Sequence, residues 1–581
     1  MATLASSAER ISPPSRGGIQ TSTLLMGALT LGVAVLTVTP VAVALVASFR
    51  TAPVGQPGIW TVSGILNVAR DPATLHVVWT TVWMGVIRAA LATLIAVMLA
   101  WILARTDCPF RGQLEIVLLL SFFFPLVGRI LGWAVLASPR TGYLNQLLRL
   151  LPFVSGRTGP LNVFSYPGVI FVSALGFSGV LTILMLPAFR GMDASLEESA
   201  RMSGASARST LFRIIVPLMR PVILAAFILA LVRVLSGFET EVFLGTPAGV
   251  VVFTNKIYLA LQGVFPPDYP TAFTMVLLLL CITFLLVILN WMLIGRRNYT
   301  TVTGRSYSAR PMRLGRLRWL AFGFVGLYLT LSFILPALVI IQTSFINIVG
   351  FDVLNPDSYS FRNWNTILSL QIPRQSFANS LLVSIVATTI GVSIYSLVSY
   401  VIVKTNFRAR RALDLAAWVP WGVPALVLGL GLLWTVLLSP LGFLYGSLAL
   451  LVIAFVIAGF PIGTRVMTAS MMQTGKELEE SARVHGASWP VTFWRVVIPL
   501  VRGGAITAWV LGFSFAFSDL ALVVFLYGPR STVLPTLFLS LWRGGSLERA
   551  SVAAVIMTVI NLLVVLTMRR LARVGISSGL G

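Results

Sequence analysis

Long apolar stretches alternate with short polar ones along the whole chain of 581 residues. A helix needs about 20 mainly apolar residues to cross the hydrocarbon core of a bilayer. Twelve stretches are long enough, and they predict an all-α integral membrane protein with spans near residues 22–49, 76–104, 113–137, 167–189, 219–238, 271–295, 318–344, 379–403, 412–437, 446–464, 503–525 and 549–568.

The composition agrees with this pattern. Hydrophobic residues make up 57% of the chain and charged residues only 10%, whereas a soluble domain carries about a quarter charged residues. Soluble enzymes, nucleic-acid binders and disordered scaffolds are therefore excluded. The two cysteines and two histidines are too few for a disulfide framework or a thiolate metal cage.

The net charge of +24 helps to orient the chain, because Lys and Arg gather in cytoplasmic loops of membrane proteins. If the N-terminus is cytoplasmic, the loops on its side hold 28 basic residues and the opposite loops hold 11. The sequence therefore predicts a multi-pass membrane protein with both termini in the cytoplasm.

A polar, Arg-rich segment at residues 299–317 lies near the middle of the chain and is interpreted as a cytoplasmic linker. It separates a first half, residues 1–298, from a second half, residues 318–581, each with six spans. Both halves begin and end in the cytoplasm. Such a parallel repeat predicts two six-helix units related by a pseudo-two-fold axis along the membrane normal.

One cytoplasmic loop occurs twice, at residues 190–218 and 465–502. Within these loops, residues 196–220 and 478–502 align without a gap and are identical at 14 of 25 positions. A glycine in each copy is expected to end a short helix, and a later proline to separate the surface helix from the next span. A generic amphipathic helix on the lipid interface is the alternative, but the shared Glu, Gly and Pro favour a docking surface.

The repeated residues resemble the coupling-loop signature of ABC-importer permeases, in which a short helix sits in a groove of the ATPase subunit. The matching positions of the first copy are Glu198, Ser199, Ala200, Gly204, Ile214 and Pro217. Those of the second copy are Glu480, Ser481, Ala482, Gly486, Val496 and Pro499. The resemblance implies a fused two-half type I permease of the bacterial inner membrane. Such a permease works with two cytoplasmic ATP-binding subunits and a periplasmic solute-binding protein.

Residues 232–261 are most similar to iron(III)-type permeases, so the resemblance implies iron(III) as the solute. Related permeases carry thiamine, phosphonates, polyamines or sulfate, which remain alternatives. An ion-gradient-driven secondary transporter also fits twelve spans, but it gives no reason for the repeated loops.

The sequence also lacks the residues of an enzyme. No G-x4-G-K-[ST] phosphate loop occurs, so ATP and Mg²⁺ would bind to the partner ATPase subunits and this chain would hold no cofactor. The spans contain no constellation of reactive side chains that would indicate a membrane-embedded enzyme or a metal site.

Charges inside or beside spans are costly and often mark a pathway or an ion pair. Arg233 lies in the fifth span, Glu239 and Glu241 follow it, and Asp519 has a similar place in the second half. If the fifth spans line the central cavity, as the family implies, these four residues face the substrate. Alternatively, Arg233 forms a structural pair and the acids meet periplasmic water.

Overall fold

The computed structural model describes residues 16–50, 59–152, 154, 158–192, 199–200, 202–263, 265, 267–295, 312–350, 355–475 and 477–572. Helices account for 79% of it, as the apolar pattern predicts. Most of the linker and Glu198 lie outside the described residues.

Nine described helices are long and apolar enough to cross a membrane by themselves. Each has at least 22 residues, which at 1.5 Å per residue exceeds the roughly 30 Å of the hydrocarbon core. They are Thr23–Ala47, Pro72–Arg105, Tyr166–Arg190, Leu211–Leu235, Tyr269–Asn290, Leu317–Phe345, Gln371–Lys404, Leu448–Met472 and Leu547–Met568.

Four further apolar segments are pairs of helices with a sharp bend between them. Among the described residues they raise the number of candidate spans from nine to as many as 13, a range that includes the predicted twelve. The pairs are Arg111–Phe122 with Leu126–Ala137 (96°), Glu241–Ala248 with Phe253–Gln262 (84°), Arg410–Gly422 with Ala425–Leu437 (112°), and Trp489–Leu500 with Arg502–Ser518 (77°).

Two spans that the sequence predicts as continuous, 113–137 and 412–437, are broken in the structure. Pro125 and Pro424 directly precede the second helix of each pair, with extended backbone ψ angles of 137° and 138°. A proline has no N–H to continue a helix, and it drives the residue before it out of the helical region. The break therefore follows from one residue in each half.

The two halves contain helices of equal length in the same order. Pro72–Arg105 and Gln371–Lys404 both have 34 residues, and Tyr166–Arg190 and Leu448–Met472 both have 25. The short helices Phe253–Gln262 and Leu534–Arg543 both have 10. In each half the 34-residue helix packs along the 25-residue one.

The first span of each half crosses the broken span of the other half. A side chain on Gly431 would place its Cβ 2.2 Å from the carbonyl oxygen of Pro40, and one on Gly132 would place it 2.7 Å from the Cα of Pro336. Only glycine permits such close backbone approach. Each half therefore contacts the other in the same way, as a two-fold relation requires. The axis itself remains a prediction.

Arg129 also joins the halves at this crossing. Its Nε donates to the carbonyl of Ser332 at 2.7 Å, and the indole nitrogen of Trp133 donates to the carbonyl of Leu331 at 3.1 Å. Both acceptors lie in the π-helical turn Thr330–Ile334, where the regular helical hydrogen bonds are interrupted. The buried Arg129 side chain thus donates to a backbone carbonyl that would accept from a backbone N–H in a regular α-helix.

Candidate functional site

The second copy of the repeated loop is a short helix, a turn and a second helical segment. The helix Glu477–Val484 is followed by Gly486, and the chain continues as Trp489–Thr492, the π-turn Phe493–Val497 and Ile498–Leu500. The segment then bends by 77° into the helix Arg502–Ser518. The sequence predicted this helix–turn–helix order.

Gly204 and Gly486 have the same left-handed backbone, with φ of +80° and +82°. The N–H of Ala205 donates to the carbonyl of Ala200, and the N–H of Ala487 donates to that of Ala482, both at 3.0 Å. This six-to-one bond is the Schellman ending of a helix. A Cβ on either glycine would meet nothing within 4 Å, so the positive φ, and not crowding, requires glycine here.

Side-chain exposure repeats position by position in the two loops. Ser199 and Ser481 are exposed, Ala200 and Ala482 are half-buried, and so are Ile214 and Val496. Pro217 and Pro499 both follow a π-turn, Leu211–Ile215 in the first half and Phe493–Val497 in the second.

Each loop also exposes large apolar side chains at matching positions, a feature that the motif alone did not reveal. Met202 and Val484 are 90% and 84% exposed. Phe212 and Trp494 follow at 58% and 55%. The residue numbers of each pair differ by 282. The two loops therefore expose apolar side chains at the same positions.

The second loop is tied to the 34-residue helix Gln371–Lys404 through Glu479. The Glu479 carboxylate forms a salt bridge with Lys404 at 3.3 Å and accepts a hydrogen bond from the Tyr400 hydroxyl at 3.1 Å. Lys404 also donates to the carbonyl of Thr474 at 2.7 Å, and Arg483 donates to the Tyr400 hydroxyl at 3.1 Å. These buried polar contacts fix the loop to the transmembrane bundle.

Three of the four predicted pathway residues come together where the halves meet. The Arg233 guanidinium lies 4.2 Å from the ring centre of Trp421 in the second half. Glu239 accepts a hydrogen bond from the N–H of Leu520 at 3.3 Å, next to Asp519. Arg233, Glu239 and Asp519 are all half-buried. Asp519 interacts electrostatically with both Arg233 and Glu239, so the cluster holds one guanidinium and two carboxyl groups.

Glu241, the fourth predicted residue, has a different partner. Its carboxylate pairs with the Arg88 guanidinium, and both side chains are only 2% exposed. The pair joins the helix Pro72–Arg105 to the π-turn Glu241–Gly245. The Arg88 charge is thereby satisfied inside the bundle, and Glu241 has a structural partner.

The described residues contain no group of three or more His, Cys, Asp or Glu side chains that could hold a metal ion. One guanidinium and two carboxyl groups at the contact of the halves can bind or orient a polar or charged solute.

Residues 92–298 and 387–574 each match the family described as the binding-protein-dependent transport system inner membrane component. The chain belongs to this family. The two matches place one copy of the permease unit in each half, as the repeated loops predict.

Three curated relatives extend the similarity over most of the permease. A probable ABC transporter permease protein, y4fN, of Sinorhizobium fredii is 26% identical over 87% of this chain and 90% of its own length. The ferric transport system permease protein FbpB of Actinobacillus pleuropneumoniae is 24% identical, over 77% and 69%. A putative ferric transport system permease protein, FbpB 1, of Haemophilus influenzae is also 24% identical, over 73% and 72%.

Proposed function

We propose that this ABC permease forms the whole transmembrane pathway of an ATP-driven importer for iron(III), delivered by a periplasmic binding protein. Two cytoplasmic ATP-binding subunits dock on the two coupling loops. The observation that carries the proposal is the repeat of one helix–glycine–helix geometry in both halves, with the same side chains exposed in each.

The proposed docking residues are those of the repeated motif: Glu198, Ser199, Ala200, Gly204, Ile214, Pro217, Glu480, Ser481, Ala482, Gly486, Val496 and Pro499. Met202 and Val484 supply the apolar contact, because a side chain more than four-fifths exposed gains most when a partner buries it. The Glu479–Lys404 contact then transmits movement of the loop to the span.

Transport follows from two states that the ATPases stabilise differently. When ATP draws the two subunits together, the coupling loops move with them and the contact between the halves opens outward. Hydrolysis releases the subunits and returns the opening to the cytoplasm. Alternating access of this kind needs rigid connections from loop to span, which the buried Glu479 contact provides.

The orientation in the proposal rests on the basic residues, 28 against 11 in alternate loops. It places both termini and both coupling loops in the cytoplasm. The Glu239 and Asp519 carboxylates then lie at the outer end of the pathway, towards the binding protein.

Iron(III) is the solute that the carboxylates and the relatives favour together. Glu239 and Asp519 attract a cation, and carboxylate oxygens are hard ligands suited to such a metal ion. Two of the three relatives are ferric permeases by name. Thiamine, phosphonate, polyamine and sulfate are the alternatives, and the anions among them would be repelled.

Uptake into right-side-out vesicles that contain the ATPase and the binding protein tests the proposal. Iron(III) uptake should require ATP, and Glu239→Gln with Asp519→Asn should lower it about tenfold, the effect of roughly 1.4 kcal/mol of lost attraction. ATPase docking should be unchanged. ATP-independent uptake that stops with an uncoupler would instead establish a gradient-driven transporter, and normal uptake by the double variant would remove these carboxylates from the pathway.

A further inference from the structure

The long helix of each half ends in the same kind of turn. Pro72–Arg105 ends before Thr106, and Gln371–Lys404 ends before Thr405. Each threonine hydroxyl donates to the carbonyl four residues earlier, at 2.7 Å in both halves. The two turns therefore have the same local structure. They differ in the groups that surround them.

In the first half the turn is covered by protein. Met312 donates its N–H to the carbonyl of Arg105 at 2.8 Å and accepts from the N–H of Asp107 at 3.1 Å. The Asp107 carboxylate accepts from the N–H of Leu314 at 2.8 Å. Residues 312–314 therefore cover this turn through backbone pairing and one carboxylate.

In the second half the turn borders an open cavity of about 280 Å³. Asn406 stands where the first half has Asp107, and arginines replace Pro109 and Gly112. The cavity is lined by Asn406, Phe407, Arg408, Arg410 and Arg411.

The three arginines have no carboxylate partner among the described residues. Arg410 donates to the carbonyl of Thr405 at 3.0 Å, which holds its guanidinium beside the cavity. The nearest acid in the sequence, Asp414, is paired with Arg465 at 3.2 Å. The cavity therefore presents unneutralised guanidinium groups, whose planar fork suits phosphate oxygens.

The cavity lies at the face of the bundle that carries the coupling loops, because Lys404 is bonded to Thr474 and Glu479. The ends of transmembrane helices lie at the level of lipid headgroups. Leu415, four residues beyond Arg411, is 70% exposed and offers an apolar surface to an acyl chain. The positive charge, the position at headgroup level and the neighbouring apolar surface are all features of a lipid-binding site.

We propose that the cavity at Arg408, Arg410 and Arg411 binds the phosphate headgroup of an anionic phospholipid. Basic pockets at the cytoplasmic ends of spans bind such headgroups. The site belongs to the second half alone, because residues 312–314 fill the equivalent place in the first.

Native mass spectrometry of the purified full-length permease, titrated with dioleoyl phosphatidylglycerol or dioleoyl phosphatidylcholine, tests the site. The triple variant Arg408→Gln, Arg410→Gln, Arg411→Gln should bind phosphatidylglycerol at least about tenfold more weakly, with phosphatidylcholine unaffected. The matched control Arg313→Gln, Arg316→Gln, Arg318→Gln removes the same charge from exposed positions and should bind like the wild type.

Replacement of all three by lysine should retain only part of the binding, since a point charge still attracts phosphate but lacks the planar fork of arginine. If the triple variant fails to fold, Arg408→Gln and Arg411→Gln answer separately. Equal weakening by the control would overturn the proposal in favour of diffuse attraction. So would unchanged binding by the triple variant, or displacement of the lipid by millimolar inorganic phosphate, which would indicate a site for free phosphate.

Discussion

The glycine that ends each coupling helix allows a sharp test of docking. Gly486 has φ +82° and an open environment, with no atom within 4 Å of a Cβ. The Cβ of a valine at this position meets no neighbouring atom, so the main cost of the substitution is the left-handed backbone. Because the residue lies in an exposed loop, relief of that strain rearranges the loop and not the spans.

The size of the effect follows from this backbone cost. A non-glycine residue in the left-handed region loses about 1–2 kcal/mol, and a β-branched residue is a poorer fit still. A penalty of that size lowers the population of the docking geometry by about 5- to 30-fold. Asparagine tolerates the same region, so Gly486→Asn should retain most of the docking.

Co-purification of the ATPase with tagged permease measures the effect. Gly486→Val and Gly204→Val should each lose most of the bound ATPase while membrane levels and thermal unfolding stay normal. Gly545→Val is the matched control. Gly545 also ends a helix with φ +70°, an open environment and the same Schellman bond, Ser546 to Leu541, at 3.0 Å.

Gly545→Val carries the same strain outside the coupling loops, so its ATPase binding should equal that of the wild type. Full ATPase binding by Gly486→Val and Gly204→Val would refute the assignment of the coupling loops. Equal loss in all three variants would show that the strain acts on the fold as a whole.

Three further expectations concern orientation, packing and coupling. Cysteines at Arg310 and Ser360 in a cysteine-free background should be labelled by an impermeant thiol reagent from the cytoplasmic and the outer side, respectively. Glu241→Gln should lower the stability of the fold by about 3–5 kcal/mol, because Arg88 is left charged and unpaired. The level of the protein in the membrane should fall accordingly. Glu479→Gln should weaken the contact between the loop and the span by about 1.5–3 kcal/mol, the value of hydrogen bonds to a charged group. The loop should then move without the span, so that ATP is hydrolysed with little uptake.

The controls and opposing outcomes differ for each. Equal labelling of both cysteines in intact cells would contradict the orientation. Leucine at both Arg88 and Glu241 should restore membrane levels, because no buried charge remains unpaired; failure to do so would mean that the pair does more than pack. Glu477, exposed on the same helix as Glu479, is the control for coupling, and normal uptake by Glu479→Gln would remove the anchor from the mechanism.

The sequence by itself locates both copies of the repeated loop. A glycine that must adopt a positive φ and a proline that cannot continue a helix act through their own backbone, so their spacing is visible without a fold. The apolar stretches predict helices for the same local reason. Breaks at Pro125 and Pro424 were predictable too, since each proline is present in the chain, but hydropathy averaged over a span hides them.

The partners of the charged residues depend on the tertiary structure. Glu479 meets Tyr400 across 79 residues of chain, Arg88 meets Glu241 across 153, and Arg129 meets Ser332 across 203. No local pattern connects such distant residues, so Glu241 resembles Glu239 in the sequence but lies in a buried ion pair. Burial decides the difference, because a charge removed from water requires a partner wherever the packing of the helices brings one.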